Sequence, residues 1–86
     1  MRRTLAHWMG WVEVIRGDRA LVKVHDYLQG NNREAELELS SLSPEDRAKI
    51  STGIYFDYLV TEENGQITTR LDTDCTRWYP RLIKDK

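Results

Sequence analysis

Cys75, His25 and Asp26, or Cys75 with His7, are the residue types of a nucleophilic triad. In such a triad a base within hydrogen-bond reach takes the thiol proton and a carboxylate orients the base. Cys75 is the only cysteine, and the two histidines and Cys75 are separated by 18 and 50 residues. No local signature brings them together, so the sequence reads as having a free thiol, no catalytic residue and no enzymatic activity. The same three side chains do not make a zinc site, which takes about four ligands at short, recognisable spacings. Asp72 and Asp74, with Asp57 facing them across a hairpin, offer hard oxygen ligands for a divalent cation, but a solvated acidic turn explains them more simply. No metal or cofactor is expected.

The aromatic residues carry more. The chain has eight, more than a barrel of this size can bury. Strand alternation points Trp11, Tyr27 and Tyr55 away from Val12, Val24 and Phe56. Together with Trp78, and flanked by Lys23, Arg33, Arg19 and Arg70, they suit three uses. One is a protein interface, where Trp, Tyr and Arg dominate binding energy. Another is a platform for single-stranded nucleic acid, with bases on rings and phosphates on cations. The third is a second small core beneath the helix or the tail. The expected binding set is Trp11, Lys23, Tyr27, Arg33, Tyr55 and Trp78, serving a protein partner or a homo-oligomer, with nucleic acid as the alternative. Glu34, Glu36 and Glu38 form an acidic stripe that repels phosphate and guards a strand from aggregation. Arg16-Gly17-Asp18 is the integrin tripeptide, and it reads here as a turn.

Charge is unevenly spread. Residues 1–33 carry six basic and three acidic side chains, residues 34–63 two and eight, and residues 64–86 five and three. The net charge of -1 gives no global positive field of the kind a dedicated nucleic-acid binder carries. An acidic middle between basic ends instead suits oriented docking. The first ten residues lack the apolar run of a signal peptide, and no stretch approaches the ~20 apolar residues of a membrane span. A cytoplasmic location is expected.

These side chains must be positioned by one domain, because 86 residues leave no room for two. The sequence predicts an all-β fold with one short helix. Strands fall at about residues 7–15, 19–28, 33–39, 54–61 and 66–72, with a possible edge strand at 76–79 and a helix at about 44–50. Gly10 sits between two tryptophans in the first strand, as at a bulge, a bend or a close backbone crossing. A three-residue Arg16–Asp18 loop pairs Val14 with Ala20, Val12 with Val22 and Gly10 with Val24, keeping even-numbered residues on one face. Ser43 as N-cap, Pro44 at the first helical position and Glu45-Asp46 in the first turn announce the helix, with Leu42 and Ile50 plugging into the core. Asn64-Gly65 is a strong two-residue hairpin signal and sets Tyr58 against Leu71, Val60 against Thr69, and Asp57 against Asp72. That last pair is a like-charge conflict. Three meandering strands, a helix and a hairpin describe a small five- to six-stranded, partly open barrel, OB-like or SH3-like.

The runs Trp8-Met9-Gly10-Trp11-Val12, Ser43-Pro44-Glu45-Asp46-Arg47 and Gly53-Ile54-Tyr55-Phe56, with the acidic third strand, resemble a group of short uncharacterised bacterial proteins. Those chains share a W-x-G-x-V start, an S-x-x-D-R helix start and a G-x-x-F strand. The resemblance spans roughly residues 8–60 and implies a bacterial accessory protein, with no activity to carry over.

Overall fold

The computed structural model describes residues 1–74. The edge strand expected at 76–79, together with Cys75, Trp78 and Tyr79, lies outside the described residues. Five antiparallel strands form one sheet in the order β3-β2-β1-β4-β5: β1 Arg2–Arg16, β2 Arg19–Asp26, β3 Asn31–Glu38, β4 Tyr55–Glu63 and β5 Gln66–Asp72. A 3-10 turn, Leu39–Ser41, and helix α1, Pro44–Lys49, connect β3 to β4. The strands and the helix between β3 and β4 follow the expected layout, and β3 and β5 remain the two edges of a sheet that does not close into a barrel. Among the described residues no helix is long and apolar enough to cross a membrane.

Alternation along the strands sends one set of side chains to a single core. Phe56, Val12, Ala20 and Val22 are fully enclosed, and Val24, Leu37, Tyr58 and Leu71 surround them. The β3–β4 connection lies over this face and adds Leu39, Leu42 and Ile50. It is held by a local cap and by a bond to β5. The Ser43 hydroxyl accepts from the Asp46 amide at 3.2 Å, Pro44 starts the helix, and Lys49 Nζ donates to the Leu71 carbonyl at 3.3 Å. Burial pushes the Tyr58 hydroxyl up from its ordinary pKa, against the opposing effect of a hydrogen bond with Ser41.

The β4–β5 hairpin has the expected register throughout, from Glu63 opposite Gln66 to Asp57 opposite Asp72. Asn64 and Gly65 both take positive φ, 54° and 81°, as a tight two-residue turn between right-twisted strands requires. The β1–β2 hairpin differs from expectation. Its loop has two residues, Gly17 and Asp18, with Gly17 at a φ of 59°. A β-bulge at Glu13 shifts the register, so Val14 faces Leu21 and Ile15 takes the place beside Ala20. The bulge inserts one residue in β1, which lets a tight turn and an apolar inner face coexist. Ile15 packs against the core in consequence.

Strand ends also move. β1 begins at Arg2 because Arg2–Thr4 pair with Thr61–Glu63, beyond a second irregularity at Leu5. β2 stops at Asp26, whose carboxylate accepts from the Leu28 and Gln29 amides and folds the chain into a turn. Leu39 leaves β3 for the 3-10 turn, its amide bonded to the Asp18 carbonyl at 2.8 Å.

Candidate functional site

The side chains turned away from the core form a second face, and its middle is concave. Gly10 sets how closely the strands beneath it approach. A methyl group there would fall on the Lys23 carbonyl oxygen and 2.7 Å from Val24 Cα, so only glycine admits β2 at this spacing. The close crossing that Gly10 suggested is therefore with β2.

Trp11 on β1 stands between Lys23 on β2 and Tyr55 on β4, its partners on either side in the ladders. The Trp11 and Tyr55 rings lie 5.9 Å apart at 47°, and the Trp11 indole N–H donates to Glu13 at 3.2 Å. One pair of residues further along the strands, Met9 lies between His25 and Asp57. Tyr27, just past the end of β2, lies across this row. It stacks on His7 at 4.6 Å, meets the His25 ring edge-on at 4.7 Å, and points its hydroxyl at the Met9 sulfur, 3.7 Å away. His25 Nδ1 is 2.7 Å from the Asn32 side-chain oxygen on β3. Met9, Trp11, Lys23, His25, Tyr27 and Tyr55, with Asn32, Arg33 and Glu34 on the β3 side, line an open groove of about 630 Å³. The rings hold one another in place yet keep large surfaces in water: Trp11 is 38% exposed, Tyr27 47% and Tyr55 37%.

Five of the six expected binding residues, Trp11, Lys23, Tyr27, Arg33 and Tyr55, line this groove, and Trp78 lies outside the described residues. The Arg33 guanidinium itself is engaged on the core side. β3 pairs Val24 with Arg33 and Val22 with Ala35, so odd-numbered residues of β3 share the core side. Its guanidinium covers the Trp8 ring at 5.1 Å and binds the Asp26 carboxylate at 3.0 Å. Asp26 itself is only 3% exposed. Burial pushes its carboxyl up, but the Gln29 amide, the Arg33 guanidinium and the Leu28 amide together outweigh it, holding the carboxyl below its ordinary pKa. Asp26 and His25 consequently point to opposite faces and do not form a dyad.

The predicted like-charge pair is present, and a side chain from β1 lies beside it. His7 Nε2 lies 3.2 Å from Asp57 Oδ1, an ion-pair distance, although the geometry is not that of a hydrogen bond. The other charges near the groove are largely matched. Lys23 Nζ is 3.8 Å from Glu13 and lies across from Glu34, and Arg19 binds Glu36 at 2.8 Å. The Glu36 hydrogen bond and the charges of Glu36 and Glu38 raise the Arg19 pKa further. Among the described residues no group of three or more His, Cys, Asp or Glu side chains is placed to hold a metal ion. Met9 and Asn32 enter the site without having been selected from sequence, and His25, considered there only as a base for Cys75, lines the groove instead. Their signal was available, since Met9 and His25 share strand parity with Trp11 and Lys23. Comparison with family models, curated proteins and solved structures finds no match to this chain, and nothing in it bears on the resemblance carried by the Trp8–Val12 and Gly53–Phe56 motifs.

Proposed function

We propose that the chain is a non-enzymatic interaction module that binds a protein partner through its outer face, with Trp11, Tyr27 and Tyr55 as anchors. The observation that carries this reading is the groove: three aromatic rings, each more than a third exposed, around one concavity on a face opposite a complete core. Tyr and Trp supply large, rigid contact area at little cost in conformational entropy, and interface energy concentrates on such residues in partly enclosed centres. Single-stranded nucleic acid is the weaker reading. It needs free cations beside the rings, and here Arg33 serves Asp26 and Trp8 while Lys23 stands between Glu13 and Glu34.

The test combines the mass of the protein in solution with affinity capture from its native cells, using the wild type, Trp11→Ala and Tyr55→Ala. The expected result is a partner retained by the wild type and lost by both variants at unchanged fold. A strictly monomeric protein that retains nothing, or a partner held equally by all three, would refute the reading. Salt-sensitive binding of a fluorescent single-stranded oligonucleotide that Trp11→Ala abolishes would favour nucleic acid instead.

A further inference from the structure

The two edges of the sheet are not equivalent, and the difference points to a second copy of the chain. β3 carries Glu34, Glu36 and Glu38 along its length, so a second β3 laid against it would face like charges. β5 reads Gln66-Ile67-Thr68-Thr69-Arg70-Leu71-Asp72, a run rich in strand-forming residues with no proline or lysine and a single positive charge. Ile67, near its start, is 59% exposed.

The turn decides which backbone groups that edge presents. In a two-residue hairpin the flanking pair, Glu63 and Gln66, exchanges both backbone bonds, after which bonded and non-bonded pairs alternate. Even-numbered residues of β5 therefore bond to β4. Ile67, Thr69 and Leu71 turn their N–H and C=O groups to the open edge. The Lys49 bond to the Leu71 carbonyl agrees with this and occupies that one acceptor. Among the described residues, no strand lies beyond β5 and no side chain bonds to Ile67 or Thr69.

We propose that β5 is a homodimerisation edge, pairing antiparallel with β5 of a second copy about a two-fold axis at Thr68. A two-fold interface must be self-complementary, and this register is. It sets Ile67 against Thr69 of the second copy, Gln66 against Arg70, and the side-chain-free Gly65 against Leu71. About four backbone hydrogen bonds form, all from Ile67 and Thr69. Moving the axis to Thr69 would call on the Leu71 carbonyl that Lys49 already holds and would place the two Arg70 side chains on a diagonal. The β3 glutamates and the β5 edge thus act together: one edge excludes a copy and the other accepts it. This interface is separate from the aromatic groove, so either can fail without the other.

Sedimentation velocity and amide hydrogen exchange of the full chain over a range of concentrations test the proposal. The expected result is a doubling of mass as concentration rises, with slowing of exchange at Ile67 and Thr69 and none at the β3 edge. Thr69→Pro removes an edge N–H that β4 does not use, and Ile67→Lys places two exposed lysines on the dimer diagonal. Both should leave a folded monomer. If Thr69→Pro fails to fold, Ile67→Lys and the wild-type exchange pattern still decide. A monomer at every concentration with fast exchange at Ile67 and Thr69 overturns the proposal, as does a dimer that survives Ile67→Lys or that Trp11→Ala dissolves.

Discussion

Replacing Gly10 with alanine adds one methyl group at the point where the outer face and the core share a backbone. That methyl would meet the Lys23 carbonyl oxygen and lie 2.7 Å from Val24 Cα, both main-chain atoms of β2. A side chain could swing away, but β2 cannot, because its neighbours are held in the ladder by Met9 opposite His25 and Trp11 opposite Lys23. Retreat in the other direction is closed by Phe56, the partner of Gly10 on β4. Overpacking that side chains can absorb costs about 1–3 kcal/mol. Here the strands must also part, and each ladder bond lost adds about 1 kcal/mol. With two bonds lost, the total is roughly 4 kcal/mol, against a whole stability of about 4–13 kcal/mol for 86 residues. Gly17→Ala is the control. Nothing lies within 4 Å of a Cβ there, and only its φ of 59° is unfavourable, which costs about 1–2 kcal/mol. Urea unfolding followed by circular dichroism should show Gly10→Ala largely unfolded or destabilised by at least about 3 kcal/mol, and Gly17→Ala by clearly less. If Gly10→Ala stays within about 1 kcal/mol of the wild type, or if the order is reversed, the close approach of β1 and β2 is wrong.

Other expectations follow from the same packing. Phe56→Ala empties the centre of a core that fully encloses the ring and should cost about 3–5 kcal/mol in the same assay. Ser43→Ala removes the oxygen that accepts from the Asp46 amide, a loss of about 1 kcal/mol, and Ser43→Asp should restore most of it. Asp26 gives a pH dependence of definite sign. Its folded pKa lies below the unfolded value, so it stabilises the protein above the unfolded carboxyl range, and this contribution disappears as pH falls through the folded value. Thermal melts across acidic pH should show Asp26→Asn less stable near neutrality and with a shallower fall on acidification. An unchanged acid slope would mean that the Leu28, Gln29 and Arg33 bonds do not hold the carboxylate in solution.

Much of this was legible in the chain because period-two patterning and turn chemistry point the same way. Asn64-Gly65 alone set seven residue pairs, from Glu63 with Gln66 to Asp57 with Asp72. The helix was announced by Ser43 and Pro44 for reasons of backbone satisfaction that do not depend on the rest of the fold. What escaped was a change of parity. Val14 and Ile15 are both apolar, so unbroken alternation carried Val14 inward with the other even-numbered residues, whereas the bulge at Glu13 brings Ile15 to the core. The N-terminal third of β1 was missed because Arg2–Thr4 have neither alternation nor an apolar face, and they pair only because β4 extends to meet them. Arg33 was within reach, since Ala35 and Leu37 inward places Arg33 inward too. Arg33 still lines the groove, with its guanidinium committed to Trp8 and Asp26. For the site, parity found the rings, but the groove depends on how far the strands bend and approach, which no single-chain pattern encodes.

The central claim is that the aromatic groove of the outer face is where a partner binds. Site-specific photo-crosslinking in native cells tests it most directly, with p-benzoylphenylalanine placed at Tyr27 in the groove or at exposed Glu45 on α1 over the opposite face. The account predicts one discrete protein adduct from position 27 that Trp11→Ala suppresses, and none from position 45. No adduct from position 27, or the same adduct from both positions, would contradict it.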